Sequence, residues 1–179
     1  MPLVFSDELH VVFTLRSRSL TEHAGEISFP GGRPEASDGS LEATAMREAS
    51  EELGLSEIRV LGPLSSVPVY TSQYRVFPFV AHIEARELRA NPQEVEKILM
   101  ADVEAHLRAP AIDGIPFEFD GKKRFSPVFD LDGHKLYGAT AHVFHELLSL
   151  LAPFWGQEVP PFREASYRFE ELLGVSTTG

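Results

Sequence analysis

The sequence contains no cysteine. That excludes a disulfide scaffold, a thiolate metal centre, an iron–sulfur cluster and a cysteine nucleophile. It also lacks any apolar run of about 18 residues, the length that a membrane-spanning helix requires. Basic residues are in short supply: 16 Lys plus Arg stand against 27 Asp plus Glu, for a net charge of −11. Such a surface repels phosphate backbones and anionic bilayers, so neither nucleic acid nor a membrane is an expected partner. The opening residues, Met1 to Glu8, are acidic where an export signal needs a basic and then an apolar stretch, and a cytoplasmic protein is the expectation. There is no internal repeat and no low-complexity tract. At 179 residues, 43% of them apolar and 24% charged, the chain has the size and composition of one globular domain.

The pattern along the chain reads as mixed α/β. Apolar segments at Leu3–Phe5 and His10–Leu15 are expected strands, with Ser6-Asp7-Glu8 as a turn between them. Residues 17–30 read as irregular and end in Phe29-Pro30-Gly31-Gly32. Leu41, Ala45, Ala49 and Leu53 then recur with helical spacing, Ser40 is placed to cap the start and Gly54 to end it. Strands are expected at 58–61 and 76–83, and a helix at 94–100 continuing toward 104–107. Two strands at 115–119 and 124–128 flank Asp120-Gly121, the dipeptide of a tight hairpin. A last helix spans 140–151, with Val143, Phe144, Leu147, Leu148 and Leu151 on one face. Residues 1–155 are read as the domain. Residues 156–179 are read as a tail, rich with its approach in aromatics (Phe154, Trp155, Phe162, Tyr167, Phe169), that packs on the body or on a partner, which leaves a homodimer open.

The stretch Arg47-Glu48-Ala49-Ser50-Glu51-Glu52 carries the chemistry. On a helix Glu48, Glu51 and Glu52 fall at i, i+3 and i+4, on one face opposite the apolar stripe. Like charges so placed destabilise an isolated helix by about 0.2–0.5 kcal/mol per pair. A cation among them relieves this, and hard oxygen ligands at such density suit Mg²⁺ or Mn²⁺. The plainer alternative is a solvated acidic face with Arg47 paired to Glu51.

Together with the glycines before the helix, Gly32, Arg47, Glu48, Ala49, Glu51, Glu52, Gly54 and Leu55 resemble the Nudix box, whose form is G-x5-E-x7-R-E-U-x-E-E-x-G-U with U apolar. The interval from Gly32 to Arg47 is one residue longer than the pattern, and Asp38 or Gly39 falls where its first glutamate stands. Upstream, Arg16, Ser17, Gly25 and Phe29 to Gly32 are similar to the signature of the coenzyme A pyrophosphatase branch, L-L-T-x-R-[SA]-x3-R-x3-G-x3-F-P-G-G, with Thr21 in place of the second arginine. Segments 71–80, 91–95 and 137–141 also look like this branch.

The resemblance implies a Nudix fold, a mixed β-sheet sandwiched between helices. It implies Mg²⁺- or Mn²⁺-dependent hydrolysis of the pyrophosphate bond of coenzyme A or its acyl derivatives, to 3′,5′-ADP and (acyl-)4′-phosphopantetheine. The alternatives are another nucleoside diphosphate derivative (ADP-ribose, a dinucleotide or a nucleoside triphosphate) or a Nudix module that binds a nucleotide without cleaving it. By the family pattern Glu48 and Glu52 are metal ligands, Glu51 is a ligand or the general base, and a carbonyl of Gly31 or Gly32 completes the shell. Glu94 is the second candidate base. Arg16, Arg33, Gly31 and Gly32 are expected to bind substrate, and Arg47 to hold the helix carboxylates. Tyr70, Tyr74 and Phe77 are candidates to line an adenine or pantetheine pocket, and Lys122-Lys123-Arg124 is a phosphate contact or a solvated hairpin tip.

Overall fold

The computed structural model describes residues 1–69 and 73–173. Tyr70, Thr71 and Ser72, and residues 174–179 of the tail, lie outside the described residues.

Pro2–Phe5 (β1) and Leu9–Arg16 (β2) form an antiparallel hairpin around Ser6-Asp7-Glu8. Ile27–Ser28 (β3) continues alongside the second half of β2, a short strand inside the segment expected to be irregular. Leu41–Leu53 (α1) follows, then Arg59–Pro63 (β4), Val67–Pro68 (β5), Arg75–Val76 (β6) and Phe79–His82 (β7). The strand expected over 76–83 is thus cut in two at Phe77-Pro78, where proline can donate nothing to a ladder. β1 pairs parallel with β7, which pairs antiparallel with β4.

Val95–Asp102 (β8) overturns one expectation: of the residues expected to be helical, 95–100 are strand, and the helix that follows, Val103–Leu107 (α2), is only five residues long. Glu, Lys, Leu and Met favour helices in isolation, yet Val95, Leu99 and Ala101 bury with strand spacing, and the segment pairs with β2 from His10 to Arg16. Tertiary pairing wins over local propensity here.

Ile112–Phe119 (β9) and Lys122–Leu131 (β10) make the hairpin at Asp120-Gly121. Both turn residues have positive φ, 52° and 66°, as a type I′ turn demands. His134–Leu136 (β11) pairs with β10, Gly138–Leu151 (α3) follows, and Phe162–Glu164 (β12) returns to pair parallel with β9. Phe169–Leu172 (α4) ends the described chain.

β2 lies at the centre and is buried on both faces. Val11, Phe13 and Leu15 point to the larger core, where Phe13 meets the edge of Phe144 from α3 at 5.4 Å. Val12 points to the other face, against Ala49 and Leu53 of α1. The mixed sheet is therefore sandwiched between α1 and α3. That placement brings the C-terminal half of α1 over the end of β2, where Arg16 and β3 lie. Among the described residues no helix is long and apolar enough to cross a membrane.

Candidate active site

Helix α1 starts at Ser40, whose hydroxyl accepts the Ala43 N–H at 3.1 Å, and stops at Gly54 in the left-handed conformation. The backbone N–H groups of Arg89 and Asn91 close its C-terminal end by donating to the carbonyls of Leu53 and Glu52, each at 2.8 Å. This pins the 89–94 loop, and with it Glu94, against the last turn of the helix. Leu41, expected in the apolar stripe, is exposed, whereas Thr44 and Glu52 are buried with Ala49 and Leu53.

The three helix carboxylates share a face in sequence but not an environment. Glu52 is only 4% exposed. Burial pushes its pKa up to about 7, against the opposing pull of the Gly31 N–H that it accepts and of the Arg16 charge. Glu48 is also raised, first by burial, although Arg47 lies 3.0 Å from it. The charge of Glu94 acts on both and raises both further. Glu51 is 53% exposed and turned to Arg47 Nη1 at 3.1 Å. Glu48, Glu52, Glu94, Arg16 and Gly31 are thus brought together, and Glu51 stands at the edge of the group.

Arg47 is held by a residue that the sequence pattern singled out only as an irregularity. Its Nε and Nη2 donate to the two carboxylate oxygens of Asp38 at 3.0 and 3.1 Å, a bidentate pair. Asp38 also accepts the Glu35 N–H and the Thr44 hydroxyl, both at 2.9 Å. The Arg47 bonds hold the Asp38 carboxyl far below the ordinary carboxylate range. The displaced first acidic position of the motif was the signal for this role.

The glycine loop lies directly against the helix. A Cβ on Gly32 would run into the carboxylate of Glu48 and push that flexible side-chain end out of its place. Beside it opens a cavity of about 630 Å³, lined by Gly31, Gly32, Arg33, Tyr74, Phe77 and Thr140 among others. The Arg33 guanidinium sits over the Tyr74 ring at 4.8 Å and donates to Glu22 at 3.3 Å. Arg16 faces the cluster from β2 with its Nε buried and, among the described residues, without a hydrogen-bond partner.

Other charged groups fall outside this cluster. Arg18 is exposed and paired with Glu96. His23 has positive φ and bonds Glu26 at 3.0 Å, which shapes the loop. Lys123 pairs with Glu164 across the tail at 2.6 Å. Glu8, His10 and Asp102, remote from Arg16 on β2, each bring a ligand atom within 4.8 Å of the others; the helix glutamates do not converge so closely.

A buried carboxylate short of counter-charge, a second one beside it and a glycine cradle open to backbone approach fit a hard divalent cation. Residues 2–116 match the family described as NUDIX domain. The chain is 38% identical over 152 residues to the mitochondrial coenzyme A diphosphatase NUDT8 of Homo sapiens, a match covering 80% of this chain and 63% of that protein, less than two thirds of its length. It is 31% identical over 151 residues to the uncharacterized Nudix hydrolase NudL of Photorhabdus laumondii, covering 82% and 80%. The solved structure of a Nudix hydrolase from M. smegmatis, RenU, aligns with a TM-score of 0.48 at 18% identity, over 58% of this chain and 68% of that one.

Proposed function

The chain belongs to the NUDIX domain family and is a Nudix hydrolase, and we propose that the bond it cleaves is the diphosphate of coenzyme A or its acyl derivatives, in dependence on Mg²⁺ or Mn²⁺. The observation that carries this reading is the gathering of Glu48, Glu52 and Glu94 with Arg16 beside Gly31-Gly32, at the edge of a cavity that also holds Arg33 and Tyr74. Similarity to the human coenzyme A diphosphatase and the Arg16-to-Gly32 signature support the choice of substrate.

Glu48 and Glu52, with a backbone oxygen of Gly31 or Gly32, are the groups that would hold the divalent ion. When bound, such an ion supplies charge neutralisation at the phosphate oxygens and lowers the pKa of water. The protein's own groups do the rest. Arg16 and Arg33 orient the diphosphate, and the aromatic faces of Tyr74 and Phe77 suit a planar base. Water adds to one phosphorus, and the bridging P–O bond breaks with its electron pair to the leaving phosphate. Glu94 takes the water proton; its charge reaches both Glu48 and Glu52, while Glu51 is engaged by Arg47. Arg47 holds Glu48, Glu51 and Asp38 in one arrangement.

The test is a substrate panel with each metal and products identified by mass. Coenzyme A should yield 3′,5′-ADP and 4′-phosphopantetheine. A far higher kcat/KM on ADP-ribose than on coenzyme A would refute the substrate assignment.

A further inference from the structure

A second cavity, of about 680 Å³, lies between the β9–β10 hairpin, the start of α3 and residues 164–170 of the tail. We propose that it receives the uncharged arm of the substrate, the chain that extends from the diphosphate away from the nucleotide. This rests on the coenzyme A reading above and assigns the half of the substrate which that reading leaves without a site.

Position is the first argument. Thr140 lines the cavity at Gly31-Gly32 and Gly138 lines this one, so the first turn of α3 separates the two. A substrate whose diphosphate sits at the glycine loop crosses that turn to reach the second cavity. Tyr137, the residue before the helix, ties the two walls: its hydroxyl bonds Glu26 in the loop that precedes Gly31, and its ring meets Phe169 of the tail edge-on at 5.8 Å.

Chemistry is the second. Ile115, Pro116 and Phe117 give the cavity an apolar wall, and its size is within the roughly 300–1,000 Å³ of small-molecule sites. Its interior polar feature is a neutral pair, Ser126 Oγ and His142 Nε2 at 3.2 Å. Burial lowers the His142 pKa and so favours the uncharged ring. Glu164, Arg168 and Glu170 also line the cavity, and Glu164 is paired with Lys123, so the charged groups there are of both signs. A hydroxyl and an imidazole beside an apolar wall match amide groups on a flexible neutral chain.

Two measurements test this. Pantetheine, which has neither nucleotide nor diphosphate, is titrated into the full chain and followed by amide NMR shifts. The expected shifts are at Gly138, Ser126 and Ala165; shifts confined to Gly31-Gly32, or none, overturn the inference. Ser166→Trp then fills the chamber from the exposed tail side, and KM for coenzyme A should rise by about ten-fold or more with kcat changed by less than about two-fold, the signature of lost uniform binding. An unchanged KM in a folded variant overturns it. If the wild-type chain leaves coenzyme A intact, the substrate reading fails, and the pantetheine titration still decides the inference.

Discussion

Replacing Glu52 with Gln should abolish turnover and yet stabilise the metal-free protein at alkaline pH. Glu52 is packed between α1 and the end of β2, and its folded-state pKa is about 7 against an ordinary 4.5. Because the folded value is the higher one, folding favours the protonated carboxyl. The stabilisation that protonation brings is fully present below 4.5 and is lost as pH rises through about 7. At about 1.4 kcal/mol per pH unit, the interval corresponds to about 3 kcal/mol. Glutamine has the same shape, stays neutral, and its amide oxygen still accepts the Gly31 N–H. Urea unfolding in EDTA, read by far-ultraviolet circular dichroism, should therefore show the two proteins nearly equal near pH 5. Near pH 8 the variant should be more stable by about 3 kcal/mol, with kcat lower by several orders of magnitude in Mg²⁺. A variant no more stable than the wild type at pH 8 would refute the claim that Glu52 is held as a buried, under-neutralised acid.

Gly32→Ala adds one methyl group directly in the path of the Glu48 carboxylate. It should cut kcat/KM by about ten-fold or more while changing stability by less than about 1 kcal/mol, as compared by steady-state kinetics and thermal melting. Asp113→Ala removes the acceptor shared by Arg163 and Tyr167, which fasten the tail beside β9. The loss should be about 1 kcal/mol, the scale of exposed charge-assisted bonds, and limited proteolysis should cut first within 157–173.

How far the sequence could be read depended on whether a signal was local. Ser40, Gly54 and Asp120-Gly121 act through their own backbone, and the helix and hairpin they bound stand where the spacing puts them. The strand Val95–Asp102 was illegible for the opposite reason. Its residues favour a helix, and only β2, some eighty positions upstream, makes it a strand. The same limit applies at the site. Spacing shows that Glu48, Glu51 and Glu52 share a helical face; it cannot show that Glu52 is sealed from water by the sheet while Glu51 stays in it. Nor does any pattern within α1 announce Arg16 or Glu94, which reach Glu52 only through the β2–β8 pairing and the 89–94 loop closed onto the helix end.

The charges explain why a deviant motif spacing is tolerated. Six carboxylates (Glu35, Asp38, Glu48, Glu51, Glu52 and Glu94) surround two guanidiniums, Arg47 and Arg16, a formal 2 − 6 = −4. Arg47 cannot serve all of them equally. Its planar fork is filled bidentately by Asp38, and its remaining contacts go to Glu48, Glu51, Glu35 and the Arg33 carbonyl. The extra residue between Gly32 and Arg47 therefore does not loosen the helix from the loop, because Asp38 binds the arginine from the loop side. Glu52 is left to the distant Arg16 charge and to a single Gly31 N–H. An acid so placed is poorly served by folding alone, and it has two remedies, a proton or a divalent cation. Solvent supplies the first below neutral pH, and above it only the second remains.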